Sequence, residues 1–484
     1  MYEFKTEPYE HQRSAWESSW NVPYHFLAME MGTGKSKVVI DSLAALYEAG
    51  EIDTVLIVAP KGVYDNWVLQ EIPLHLPDRI TAKIVRWQPN FTQKFKREIT
   101  EIAVRSTSTT EFLGFLVMNI EAMSTAKGQH TAKRFLELNP RNMMIVDEST
   151  TIKNRKAART KAVIECGRKA KYRRVLTGSP ITKSPIDLFS QCDFLAPGAL
   201  GFDNFYAFQN RYAVIERRHT ANRSYPHIVQ YRRLDELGAK FDTFSSRVLK
   251  KDCLDLPDKI YMRRNIPLSN EQAKVYNQMK EFALAQLDDG KLATTASILT
   301  QIMRLQQITC GFFKPDEGKP IHPLKNNRLP ELLSIIEELS GKAIIWATWT
   351  YDIHQIRDNL AAAYGPDSVA AYHGETPQDN RQKIVNLFQD DDSPLRFFVG
   401  QPRTGGFGLT LTAANTVIYY NNSYDLETRL QSEDRAHRIG QTKSVTYIDL
   451  VSPNTVDENI LRALRNKINL AGTVLGEDVR GWLL

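Results

Sequence analysis

The sequence predicts an α/β protein of two lobes, each a mainly parallel sheet flanked by helices, with helical insertions between them. Short apolar or β-branched runs alternate with longer segments of helical spacing, which is the rhythm of strands joined by crossover helices. The alternation occurs once in each half of the chain. A length of 484 residues also exceeds what one hydrophobic core supports, so two or three domains are expected.

In the first half the strand candidates are "TVLIVAP" (54 to 60), "MMIVDE" (143 to 148) and "RRVLTGS" (173 to 179). In the second they are "KAIIWATW" (342 to 349), "LRFFVGQ" (395 to 401), "NTVIYYN" (415 to 421) and "SVTYIDLV" (444 to 451). From about 185 to 330 the pattern turns mainly helical, closing in the Pro/Gly/Asn-rich loop "GFFKPDEGKPIHPLKNNR". The expected division is an N-terminal lobe over 1–245 with a helical insertion from about 185, a helical junction over 246–330, and a C-terminal lobe over 331–484.

Composition narrows the class. Apolar and charged fractions of 42% and 24% are those of an ordinary globular protein. Sixty-two Lys and Arg stand against 56 Asp and Glu, and a net charge of +6 is too small to prove a nucleic-acid partner. Cys166, Cys192, Cys253 and Cys310 are far apart and have no paired ligand spacing, which indicates a reducing compartment and no zinc site. No apolar run approaches the roughly 18 residues needed to cross a bilayer. A soluble, cytoplasmic protein without membrane association is expected, in the host cytoplasm if the source is viral, or nucleoplasmic if the source has a nucleus.

Three motifs carry chemistry. The first, "AMEMGTGKS" (28 to 36), is a phosphate loop with Met29 where the full G-x-x-x-x-G-K-[S/T] pattern has glycine. Apolar residues at Val38, Val39, Leu43, Leu46 and Tyr47, with Gly50 as a C-terminal cap, predict a helix starting at Lys35 or Ser36. Gly32 and Gly34 let backbone amides turn inward around phosphates at the positive end of that helix. Lys35 is then placed for the β- and γ-phosphates and the Ser36 hydroxyl for magnesium. The bland alternative is a glycine turn before an amphipathic helix.

The second motif, "MMIVDEST", ends an apolar strand in adjacent carboxylates. Side chains alternate along a strand, so Asp147 and Glu148 point differently: one suits the magnesium shell, the other the attacking water. A polar strand-to-helix junction is the competing reading.

The third is "QSEDRAHRIGQ" (431 to 441). As a helix it sets Gln431, Arg435 and Arg438 on one face, with the two arginines as guanidinium fingers for the γ-phosphate. A solvated helix whose Glu433 and Asp434 pair its own arginines is the alternative. The run follows "GQPRTGGFGLTLTAANTVIYYN", a glycine-rich turn between predicted strands, which favours the first reading.

Taken in order, these segments resemble the SWI/SNF-type ATPases of helicase superfamily 2, translocases built on two RecA-like lobes. "EPYEHQ" resembles the adenine-recognition motif, "LAMEMGTGKS" the phosphate loop, "LIVAPKGVYDNW" motif Ia, "DEST" the D-E-x-H box, and "LTGSPITKSPIDLFSQCDFLAPGALG" motif III. "QIMRLQQITC", "AYHGETPQDNRQ", "RTGGFGLTLTAANTVIYYN" and "QSEDRAHRIGQTKSV" continue the series.

The resemblance implies ATP and Mg2+ as cofactors. It places Gln12 on adenine; Met31, Gly32, Thr33, Gly34, Lys35 and Ser36 around the phosphates; Ser36 and Asp147 on magnesium; Glu148 as general base; and Gln431, Arg435 and Arg438 in the catalytic set. Thr177 to Pro180 would couple hydrolysis to lobe movement, and Lys61, Trp67, Lys153, Asn154, Arg403, Thr404 and Gly405 would meet nucleic acid. The chain departs from the family at Ser36 for Thr, at Thr150 for the box histidine, and at Thr410 for Asn. A-x-x-M-G-x-G-K-[S/T] is also the family's form of the loop, so Met29 marks lineage.

The expected track is double-stranded DNA, contacted through its backbone without sequence preference. Residues 153 to 174 hold ten Lys/Arg and one Glu, a density suited to phosphates. A second basic stretch, 211 to 233, interleaves arginines with Tyr212, Tyr225 and Tyr231. The motifs run from near residue 8 to near 450, which predicts a minimal motor of bacterial or viral type without an added reader domain. The expected function is ATP-dependent translocation along duplex DNA; the alternatives are a strand-separating DNA or RNA helicase and an ATP-gated nucleic-acid clamp.

Overall fold

In a computed structural model, residues 2–61, 63–104, 111–220, 223–253, 255–288, 295–314, 320–404 and 409–475 are described. They form two compact units. The first comprises Met1–Ile215, Ile228–Asp255 and Leu470–Glu477, and the second Glu216–His227, Leu256–Asn469 and Asp478–Leu484.

The first unit is built on β1 (Tyr24–Met29), β2 (Thr54–Ala59), β3 (Ala82–Arg86), β4 (Leu113–Asn119), β5 (Asn142–Asp147) and β6 (Tyr172–Leu176). A two-stranded sheet of β7 (Ala213–Thr220) and β8 (Arg223–Tyr231) follows, its residues divided between the two units, and then β9 (Ser245–Val248). Strands β1 to β6 and β9 form one all-parallel sheet in the order β3-β4-β2-β5-β6-β1-β9. Its central strands are buried along their whole length, as a sheet covered on both faces requires. One face packs through Phe26, Leu56, Leu116, Met144 and Val175, and the other through Leu27, Met29, Ile57, Val117 and Ile145.

The second unit begins with β10 (Lys259–Asn265) and a small ladder of β11 (Phe312–Phe313) and β12 (His322–Pro323). Its sheet adds β13 (Lys342–Trp346), β14 (Val369–Tyr372), β15 (Phe397–Gly400), β16 (Ala414–Tyr419) and β17 (Val445–Val451). The order is β10-β17-β16-β13-β15-β14, again all parallel. Arg328, fully buried, begins the helix Arg328–Glu338 and donates to the Tyr420 carbonyl, the Ser452 hydroxyl and Asp457.

The structure differs from the expected division at three places. Residues 213–220 and 223–231 form a two-stranded sheet where a helical insertion was expected, because "AVIE" and "IVQY" place β-branched residues where a helix pays in side-chain freedom and a strand does not. The first sheet recruits β9 beyond residue 245, so the first unit runs to Asp255. Residues 256–330 belong to the second unit, because β10 pairs with β17 along seven residues, Lys259 with Val445 through Asn265 with Val451.

Candidate active site

Ligands of open parallel sheets bind beyond the carboxyl ends of the strands. Strands β5, β6 and β1 are neighbours in the first sheet, and their ends lead into Asp147, Thr177 and Glu30 respectively. Three sequence-distant motifs therefore meet at one edge.

Met29 is the last residue of β1 and fully buried, so no glycine is needed there: the loop turns after it. Thr33 closes the turn, its amide and hydroxyl both donating to the Glu30 carbonyl, at 3.3 and 2.8 Å. Gly32 and Gly34 take φ of 81° and 88°, a region that costs other residues about 1–2 kcal/mol. Gly34 also has no room for a side chain, since a Cβ would lie 2.2 Å from the Gln12 amide nitrogen. The helix then runs Lys35–Glu48, and Gly50 has φ of 71°.

Gln12 is buried and clasps the phosphate loop. Its Nε2 donates to the Thr33 carbonyl at 3.1 Å, and its Oε1 accepts from the Tyr9 amide at 3.1 Å. Lys35 is nearly buried, with its ammonium 3.2 Å from the Glu30 carbonyl. Ser36 and Met31 remain partly open on the loop and the first helical turn.

Asp147 Oδ2 accepts from the Trp67 indole N–H at 2.9 Å, and Oδ1 accepts from the Glu148 amide at 2.9 Å. Burial raises the pKa of this carboxyl, opposed by the Trp67 hydrogen bond, the Lys35 charge and the Glu148 amide. Glu148, also buried, sits in the left-handed region with φ of 48°, an unusual conformation for a non-glycine residue and one that such sites retain. The strand ends one residue earlier, so this backbone turn, rather than simple alternation, separates the two carboxylates.

The segment after β6 lies directly against the phosphate loop: a Cβ on Gly178 would stand 3.1 Å from the Met31 amide nitrogen. Arg247 donates to the carbonyls of Ala28 and Gly178, at 2.7 and 3.0 Å, joining the two segments from β9. Ser149 donates to Gln191 Oε1 at 2.5 Å, and Gln191 Nε2 donates to the carbonyls of Pro180 and Asp187, at 2.8 and 2.9 Å. The carboxylate box is thus wired to motif III through Ser149 and Gln191.

Neither Arg247 nor Gln191 was singled out from sequence. Gln191 had a signal: in "LFSQCDFL" it shares the buried side of the helix with Leu188, Cys192 and Leu195, an odd place for an amide.

In the second unit the helix Leu426–Glu433 is N-capped by Asp425, whose side chain accepts from the Glu427 and Thr428 amides. Arg429 pairs with Asp449 and Glu433 and lies 3.5 Å over the Tyr419 ring. The helix stops at Glu433, so Arg435 and Arg438 stand in the following turns and not on one helical face with Gln431, as the spacing predicted. The two guanidiniums still converge, donating to the same Leu409 carbonyl at 3.2 and 3.1 Å. Glu433 is occupied by Arg429, Lys259 and Tyr261. Gln431 is buried and donates to Glu427, at 3.5 Å.

Among the nucleic-acid candidates, Trp67 is corrected outright. It is 0% exposed and holds Asp147, so it presents no surface to a nucleic acid. Lys61, Asn154 and Arg403 are exposed, and Thr404 is half-buried with its hydroxyl on Gln401. Lys153 donates to the Thr182 hydroxyl at 2.7 Å. Gly405 lies outside the described residues.

The basic stretch 153 to 174 is less uniform than its composition. Arg174 is 0% exposed and donates to the carbonyls of Ser19, Trp20 and Val22, while Lys156, Lys161, Arg168 and Lys169 are exposed. In the second stretch, Tyr212 is a core residue bonded to Glu236.

Comparison with known proteins accords with these motifs. The SNF2-related domain matches residues 16–313, and the helicase conserved C-terminal domain matches residues 324–440. The chromatin structure-remodeling complex subunit snf21 of Schizosaccharomyces pombe is 26% identical over 93% of this chain and 37% of its own length. An uncharacterized ATP-dependent helicase, MG018, of Mycoplasma genitalium is 26% identical over 94% of this chain and 40% of its own length. The Bacillus subtilis putative ATP-dependent helicase/translocase YwqA is 26% identical over 93% and 46% respectively. This chain therefore spans less than half the length of each of these relatives. The solved Sulfolobus solfataricus SWI2/SNF2 ATPase core in complex with dsDNA aligns with a TM-score of 0.42 and 23% identity, over 100% of this chain and 95% of that one. No helix among the described residues is long and apolar enough to cross a membrane.

Proposed function

This chain belongs to the SNF2-related family, and from that premise we propose that it hydrolyses ATP and couples hydrolysis to movement along double-stranded DNA. The observation that carries the reading is the meeting of the phosphate loop, the Asp147–Glu148 pair and the Gly178 segment at the carboxyl ends of adjacent strands.

Amides around Gly32 and Gly34 and the start of the Lys35–Glu48 helix hold the phosphates, and Lys35 neutralises their charge. Ser36 and Asp147 offer a hydroxyl and a carboxylate, the oxygen donors that Mg2+ takes, and the ion when bound would screen the phosphate oxygens. Glu148 polarises the attacking water. Arg435 and Arg438 are the candidates for stabilising charge on the transferred phosphoryl group. The exposed Lys156, Lys161, Arg168 and Lys169 give a backbone-reading surface, which favours affinity without sequence preference. The relative named as a helicase/translocase supports the same reading.

The test is ATP turnover with double-stranded DNA, single-stranded DNA and RNA, run beside displacement of a third strand and of a duplex strand. Stimulation by duplex DNA with third-strand displacement is expected. Stimulation by RNA alone, or efficient duplex separation, would overturn the translocase reading in favour of a helicase; turnover without any displacement would favour a clamp. Arg438→Ala should abolish turnover while sparing ATP binding, and unchanged turnover removes it from this role.

A further inference from the structure

The second unit contains a cluster that the nucleotide chemistry does not use. His354 lies in the first turns of the helix Thr350–Tyr364, which follows β13; His373 and Glu375 lie on the turn that follows β14, the edge strand of the sheet. A ring nitrogen from each histidine and a carboxylate oxygen of Glu375 all lie within 4.8 Å of one another. The imidazole centroids are 5.3 Å apart.

His373 supplies the second observation. It is only 7% exposed, yet its Nδ1 has no hydrogen-bond partner among the described residues. Buried polar atoms are nearly always satisfied, so an orphaned ring nitrogen beside a second imidazole and a carboxylate points to a missing ligand.

The turn that carries two of the three donors is held in place by other residues. The Thr376 hydroxyl accepts from the His373 amide at 3.0 Å and donates to the Ala371 carbonyl at 3.2 Å. Arg381 donates to the carbonyls of His373, Gly374 and Thr376, at 3.3, 3.3 and 3.1 Å. On the other side, Ile353, Ile356 and Leu360 anchor the His354 helix in the core. Tetrahedral coordination with bonds of about 2.1 Å sets ligand atoms about 3.4 Å apart. The remaining closure falls to His354, which is half-buried, and Glu375, which is exposed.

The donor set selects the ion. Two imidazoles and one carboxylate suit a borderline transition metal, whereas Mg2+ and Ca2+ take oxygen ligands.

We propose that His354, His373 and Glu375 form a zinc-type transition-metal site whose fourth position is left to water, clipping the turn after β14 to the neighbouring helix. The cysteines, which alone informed the expectation of no zinc, take no part in it. The site is independent of the nucleotide residues and of the translocase reading.

The test uses the full chain, stripped with chelator and without nucleotide. Zn2+ is titrated against a chromogenic competitor, with Ca2+ and Mg2+ in parallel and Co2+ as a spectroscopic substitute. One equivalent of Zn2+ should bind with micromolar or tighter affinity and raise the melting temperature. Co2+ should give the intense visible bands of a tetrahedral site without a thiolate charge-transfer band. His354→Ala and Glu375→Gln, both at positions outside the buried core, should each weaken binding at least tenfold while the metal-free melting temperature stays unchanged. Wild-type stoichiometry and affinity in His354→Ala, or Zn2+ uptake abolished by thiol alkylation alone, would overturn the proposal, as would no uptake by the unmodified chain.

Discussion

The Ser149 hydroxyl donates to the Gln191 side-chain oxygen at 2.5 Å, with both residues fully buried. Because the same amide donates onward to Pro180, a change at the carboxylate box reaches motif III through one side chain. Thr150 stands where the D-E-x-H box that this segment resembles has a histidine, and the Ser149–Gln191 pair joins the box to motif III beside it.

Removing either partner leaves a buried group unpaired, at about 1–3 kcal/mol. Ser149→Ala and Gln191→Leu should each retain ATP binding and slow nucleic-acid-stimulated turnover about tenfold. The double variant should be no slower than the worse single one, because the two act as a unit. Steady-state turnover of the four proteins checks this; additive losses would show that the residues act separately.

Trp67 opposes the effect of burial on the ionisation of Asp147. Burial raises the carboxyl pKa and the indole hydrogen bond lowers it, so Trp67→Phe should raise it further. A larger fraction is then protonated at any given acidic pH, and the acid limb of the pH–turnover profile should move upward. Affinity for DNA and its salt dependence should be unchanged, because the side chain does not reach the surface. A profile that stays in place while DNA affinity falls would restore Trp67 to the nucleic-acid contacts.

Gly34→Ala should damage nucleotide binding more than folding. The left-handed backbone disfavours any side chain by about 1–2 kcal/mol, and the new methyl would displace Gln12 from the Thr33 carbonyl. Affinity for ATP should fall at least tenfold with a modest drop in melting temperature. Unaltered affinity, measured by calorimetry, would mean that the loop opens without cost.

His25 makes the fold acid-sensitive. Its Nε2 meets the Ser246 hydroxyl at 2.8 Å, linking β1 to β9, and burial, followed by the Arg174 charge, pushes its pKa down to about 3. An unfolded histidine titrates near about 6.5. The stabilisation is therefore complete above that value and declines as pH falls toward 3, by about 2 kcal/mol at pH 5. His25→Gln keeps a hydrogen-bonding group and removes the proton site, so its melting temperature should drop less between pH 7 and pH 5. Some slope will remain, since burial also lowers His75, to about 4. Equal drops in the two proteins would exclude His25 as the source.

What the sequence alone determined is what depends on neighbours along the chain. The glycine pair, Lys35 and the following helix form one local turn, and the apolar run Thr54–Ala59, bounded by a proline, reads as a strand. Motif order was enough to bring Asp147, Lys35 and Gly178 into one expected site. Tertiary structure decided everything that depends on what lies across a strand or under a helix. Trp67 was expected to meet nucleic acid from the resemblance of its segment to motif Ia, and Arg174 from the basic density around it, but the fold buries both beside groups that need their N–H donors. Gln191, Arg247, and the pairing of His354 with His373 join residues with no fixed spacing in sequence. The helix stops at Glu433, short of Arg435 and Arg438, and Glu433 itself is held by Arg429 of its own helix and by Lys259 and Tyr261, two partners that only the folded sheet brings to it.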